Sequence, residues 1–134
     1  MAAPGPEPGG PRIVSSPDLR IPFSSPGLDG GITVAHQVIA KLAGKAARAT
    51  YGVVAMQEPP IRKLARFFRG ALTEGVEVDI EDGTANIGLH VVMERGVNLS
   101  QVTTNLQEQV RYQLGDVGGV PLGAISVRVE DLQD

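Results

Sequence analysis

Side chains that can do chemistry are sparse in this chain of 134 residues. There is no cysteine, and the two histidines, His36 and His90, have no serine or acid around them at a known catalytic spacing. Disulfides, thiolate zinc sites and cysteine nucleophiles are therefore excluded, and two imidazoles are too few for a histidine-rich metal site. His36 opens a helix and His90 falls on the polar side of a strand, so both are expected to be solvated or to make structural hydrogen bonds. Glu77, Asp79 and Glu81 share one strand face. Cation loops need ligands that converge from a turn, so these acids read as a solvated sheet face; a carboxylate-based enzyme is the only catalytic alternative. Gly115-Asp116-Val117-Gly118 has the bare GxxG pattern of a backbone-clamping KH loop, but it lies between a helix and a strand and carries an acid where phosphate would favour Lys or Arg. It reads as a helix stop followed by a turn. Gly30-Gly31 and Gly118-Gly119 lack the lysine and spacing of a phosphate loop. No catalytic residue, cofactor or metal ligand is expected, and the chain reads as a non-enzyme.

The most distinctive segment that could bind something runs from Pro59 to Leu72. Ile61, Leu64, Phe68 and Leu72 recur at helical spacing after Pro59-Pro60, and Arg62, Lys63, Arg66 and Arg69 occur with no acid between them. This predicts a short cationic amphipathic helix. Arg62, Lys63, Arg66, Phe67, Phe68 and Arg69 are the candidate surface for an anionic membrane or a partner's groove, with the two phenylalanines as anchors. The alternative is a self-packed connector whose charges are solvated.

The elements around these residues follow from pattern. Seven of the ten prolines fall within residues 1–27, interleaved with Gly and Ser, so that stretch is expected to be a disordered tail ahead of a single domain over 28–134. Ile32 to Val34 reads as an extended entry to a helix over Ala35 to Thr50, with Val38, Ile39, Leu42, Ala46 and Ala49 on its buried face and Gly52 ending it. The small residues Ala43, Gly44 and Ala47 would let that helix sit close to its support. Val53 to Met56 reads as a strand. Val76, Val78 and Ile80 alternate with acids up to Asp82-Gly83, and the return strand alternates too, predicting a hairpin that pairs Ile80 with Ala85, Val78 with Ile87 and Val76 with Leu89. Asn98 or Ser100 caps a second helix with a stripe of Leu99, Val102, Leu106, Val110 and Leu114, which Gly115 stops. Ile125, Val127 and Val129 mark a final half-buried strand, on which Arg128 could offset the acidic strip. The expected fold is α+β, a two-layer sandwich of about four mostly antiparallel strands with both main helices on one face.

Charge is separated along the chain. Residues 28–75 hold seven basic and three acidic side chains, residues 76–134 three basic and ten acidic, and the whole carries a net charge of -3. Such asymmetry steers association with charged partners or further copies of the chain. No run of 18 apolar residues and no secretory pattern is present, so a cytoplasmic location is expected.

The run Gly31-Ile32-Thr33-Val34-Ala35-His36-Gln37-Val38-Ile39-Ala40-Lys41-Leu42-Ala43-Gly44-Lys45-Ala46-Ala47 with Tyr51-Gly52-Val53 resembles the N-terminal signature of the alkaline shock protein family of envelope stress response proteins. Gly75 to Val78, Val91 to Leu99 and Val127 to Leu132 resemble its remaining blocks in order, so the resemblance covers about Gly30 to Leu132. It implies a small cytoplasmic α+β protein of Gram-positive bacteria without enzymatic activity. Such a protein would act in envelope stress and homeostasis through protein contacts, often beside membrane-anchored partners. The Pro-rich N-terminal stretch, the basic segment between Met56 and Gly75 and the glycines around Val117 depart from the family pattern. The expected role is a membrane-proximal scaffold or adaptor that self-associates or binds a small membrane-anchored protein, with peripheral membrane contact. The alternative is a nucleic-acid-binding module built on the 59–72 segment and the GxxG turn. The acidic C-terminal half, the net negative charge and the lack of aromatics on the sheet face argue against it.

Overall fold

The computed structural model describes residues 18–25, 28–58 and 71–134. The elements are β1 (Leu19–Ser25), β2 (Leu28–Val34), α1 (His36–Arg48), β3 (Val53–Met56), β4 (Ala71–Thr73), β5 (Val76–Glu81), β6 (Thr84–Glu94), α2 (Leu99–Val110) and β7 (Leu122–Gln133). This is the expected α+β class, with the helices packed on one face of a curled sheet.

The long strand β6 organises the sheet. β7 pairs with it in parallel from Ala85 to Glu94, which occupies one of its two edges. On the other edge β5 pairs antiparallel along Thr84 to Leu89 and β3 along Val91 to Met93. The handover falls at His90, whose N–H donates to the Gly75 carbonyl (2.9 Å) and whose carbonyl accepts from Gln57 N–H (3.0 Å). The β5 and β6 hairpin has the register read from alternation, Ile80 with Ala85, Val78 with Ile87 and Val76 with Leu89. Asp82 (φ 53) and Gly83 (φ 75) are both left-handed, as a type I′ loop requires. A second loop of the same kind, Glu74 (φ 50) and Gly75 (φ 82), joins the unanticipated three-residue strand β4 to β5.

Three local readings are corrected. Residues Leu19 to Ser25, expected within the tail, form a hairpin with β2, and Leu19 is wholly buried in the core. Residues 1–17 lie outside the described residues. In α1 the buried set is Ile39, Ala40, Ala43, Gly44, Ala46 and Ala47, whereas Val38 and Leu42 are 47% and 42% exposed. The helix therefore presents its small residues to the sheet. A Cβ on Gly44 would already stand 3.6 Å from Val76 Cγ2, so the close approach leaves the larger aliphatics on the flank. Finally, Gly115 does not stop the second helix. The chain widens into π-helical turns over Arg111–Val117, and Gly118 ends them with its N–H on the Gln113 carbonyl (3.1 Å). A Cβ at Gly118 would lie 2.8 Å from the Leu114 carbonyl oxygen, so the terminator is set by that contact.

The core is aliphatic. Val76, Val78, Ile87, Leu89, Val91 and Met93 of the sheet meet Ile39 of α1 and Val102, Leu106, Val110 and Leu114 of the second helix and its extension. Asn98 caps α2, its side chain accepting from Gln101 N–H at 3.0 Å.

Candidate interaction surfaces

Because β5 buries its even-numbered residues, Glu77, Asp79 and Glu81 emerge on the sheet face away from the helices. There they stand opposite Gly88, Asn86 and Thr84 of β6. The lack of a side chain at Gly88 matters, since a Cβ there would meet the Glu77 side chain at 3.4 to 3.5 Å. Glu77 leans across it and its Oε2 reaches Nε2 of His90 at 2.5 Å. On the other side Glu130 Oε2 lies 2.7 Å from His90 Nδ1, and Arg128 Nε lies 3.1 Å from the same oxygen. The result is a row of polar side chains, Glu77, His90, Glu130 and Arg128, crossing three strands. The side chains of His90 and Glu130 are 9% and 8% exposed.

Each ring nitrogen of His90 is engaged by one carboxylate oxygen. His90 thus makes the structural hydrogen bonds expected of it, and neither nitrogen is left for proton transfer. The shallow depression beside it, about 110 Å³, is lined by Glu77, Gly88, His90, Ser126 and Arg128. His36 lies at the start of α1, with Nδ1 3.7 Å from Asp18. Among the described residues no group of three or more His, Asp or Glu side chains converges as a metal site.

In the opposite layer the outer face of α1 is basic. Lys41, Lys45 and Arg48 are exposed along α1, which has no acidic residue, and Val38 and Leu42 lie among them. The 79% exposed Tyr51 follows at the helix end. The reading that set Lys41, Lys45 and Arg48 away from the sheet holds, although three residues assigned to the buried face, Val38, Leu42 and Ala49, are exposed as well.

A third surface is the outer edge of β7, which α2 partly closes. Gln107 Nε2 donates to the Ile125 carbonyl (2.8 Å) and Arg111 to that of Gly123 (3.2 Å). These bonds blunt an edge that would otherwise template further strands. The cleft between them, about 290 Å³, is lined by Thr104, Gln107, Glu108, Arg111 and Ile125.

The candidate surface Arg62, Lys63, Arg66, Phe67, Phe68 and Arg69 lies outside the described residues. Leu72, assigned by spacing to the same amphipathic helix, instead belongs to β4. The GxxG residues form no loop. Gly115 to Val117 are wound into π-helical turns, and the N–H groups of Gly118 and Gly119 are spent on the carbonyls of Gln113 and Gly115. The row through Glu130 was not found in the sequence, because 40 residues separate it from His90. The available signal was the polar alternation of Arg128 and Glu130 on the last strand.

The uncharacterized protein YloU of Bacillus subtilis (strain 168) is 28% identical over 107 residues, spanning 78% of this chain and 89% of its own length. The uncharacterized protein Spy1614 of Streptococcus pyogenes serotype M6 is 29% identical over 108 residues, with the same two coverages. YqhY of B. subtilis, also named as uncharacterized, is 28% identical over 105 residues, 78% of each chain. No solved structure gives a significant match. Residues 25–133 match the model of the alkaline shock protein 23 family, described as having a cell envelope-related function, and the chain belongs to that family.

Proposed function

We propose that this protein is a non-enzymatic scaffold or adaptor that works in envelope stress and homeostasis through protein contacts on the cytoplasmic side of the membrane. The observation that carries the reading is the separation of charge between two elements: exposed Lys41, Lys45 and Arg48 along α1, and Glu77, Asp79 and Glu81 on β5 with Asp82 in the loop that follows. A basic helix face and an acidic hairpin on one molecule suit contacts with a charged partner or with further copies of the chain. Membership of a family with cell envelope-related function supports the location. The described histidines and carboxylates support the non-enzymatic part, since His90 has both nitrogens spent on Glu77 and Glu130.

The partners proposed are a small membrane-anchored protein and the chain itself, and the segment Arg62, Lys63, Arg66, Phe67, Phe68 and Arg69 is proposed as a further contact surface. Exposed charges are screened within about 10 Å at 0.1 M salt, so association should weaken as salt rises. Sedimentation velocity of the purified protein across a salt series, with and without captured partners, tests this. Salt-insensitive monomers that also fail to hold a partner would refute it.

A further inference from the structure

We propose that the outer face of α1 is a lipid-docking surface that lays the protein on an anionic bilayer with its acidic sheet face turned away. Val38, Lys41, Leu42, Lys45 and Arg48 share one helix face, each lying three or four residues from another of the set, and form one stripe about 15 Å long. Two of these are apolar and close to half exposed, three are basic, and no acid interrupts them. Among the described residues no ion pair engages the three cations. Tyr51, 79% exposed just beyond the helix, adds a side chain with an apolar ring and a polar tip, the type that settles at the level of lipid headgroups. The stripe is turned outward because the small residues Ala43, Gly44 and Ala47 face the sheet.

The occupant follows from what must be matched. The acidic strip of a second copy would answer the three cations, but its neighbours on β6 are Thr84, Asn86 and Gly88, which offer nothing apolar to Val38, Leu42 and Tyr51. An anionic bilayer answers both, taking the aliphatic tips and ring into the headgroup boundary and the cations at its charged surface. Glu77, Asp79, Glu81 and Asp82 on the far layer are repelled by the same surface, which fixes the orientation. The inference goes beyond the scaffold role, since it needs no protein partner.

The test uses the full chain and two kinds of large vesicle, phosphatidylcholine alone and phosphatidylcholine with about a third phosphatidylglycerol. Co-sedimentation is expected with the anionic vesicles only, falling as salt rises. Each lost cation should weaken partitioning about fivefold, so K41S/K45S/R48S should bind about a hundredfold more weakly. L42S/Y51S, at unchanged charge, should also bind more weakly. Circular dichroism confirms that both variants fold. R62S/K63S/R66S/R69S is run beside them. A loss of about tenfold or more in the α1 variant supports the proposal whatever the other does, whereas any smaller loss overturns it. Absence of anionic-vesicle binding by the wild type also overturns it. So does a triple variant that loses only self-association in light scattering, which would assign the stripe to a second copy.

Discussion

Replacing His90 with Phe keeps a ring of similar breadth on β6 but removes both ring nitrogens from the row that ties β5 to β7. Glu77 is one-third exposed and recovers water, so its loss contributes little. Glu130 is different: its side chain is 8% exposed, and its other partner, Arg128 Nε at 3.1 Å, belongs to a side chain that is 61% exposed. Stranding one member of a buried pair costs about 3–5 kcal/mol. With Arg128 still able to follow the carboxylate, about 2–3 kcal/mol is expected here. In a domain of this size that lowers Tm by about 6–15 °C. Thermal melts and urea unfolding by circular dichroism read the effect, and the urea midpoint should fall at unchanged m. The double variant His90→Phe with Glu130→Leu should recover most of the loss, because no carboxylate then remains buried without a donor. A fall of less than about 3 °C for His90→Phe, or strict additivity in the double variant, would refute the reasoning.

Gly52→Ala should destabilise by about 2–4 kcal/mol, since Gly52 has φ +97 and its new Cβ would lie 2.8 Å from Val102 Cγ2. Gly83→Ala, at φ +75 with nothing within 4 Å, should cost only about 1 kcal/mol; equal urea midpoints for the two variants would contradict this. Leu106→Ala opens a cavity at a wholly buried position beneath α2 and should cost about 2–5 kcal/mol in urea unfolding. Asn98→Ala removes the acceptor of Gln101 N–H and should cost about 1 kcal/mol, with helix fraying visible in amide exchange at Leu99 to Gln101. K41S/K45S/R48S should cost about 1–2 kcal/mol in urea unfolding, because serine is the poorer helix former and Lys45 and Arg48 leave the last turn of α1, yet the variant should stay folded since all three side chains are exposed.

Local chemistry made the β5 and β6 hairpin legible. Its loop type and its two alternations admit one register, and that register is found. The Asn98 cap was legible for the same reason, a side chain acting within three residues. What escaped depends on distant partners. The buried face of α1 is decided by how closely Gly44 approaches Val76, so a helix with apolar residues most of the way round kept its small side inward against the hydrophobic ranking. β1 has a proline and neighbouring serines, yet it orders because Leu19 reaches the core and seven residues pair with β2. β4 is three residues long, too short for any period to register. The π-helical turns arise where Leu114 must stay in the core while the chain turns towards β7, which residue type alone does not reveal. The row of Glu77, His90, Glu130 and Arg128 exists only once β7 lies parallel to β6.

The central claim is that this chain acts at the envelope through protein contacts. Crosslinking followed by affinity capture from separated membrane and soluble fractions of the native host tests it most directly. Recovery with the membrane fraction is expected, together with further copies of the chain or a small integral protein, and it should be lost at high salt. Recovery only from the soluble fraction, carrying nuclease-sensitive material, would contradict it.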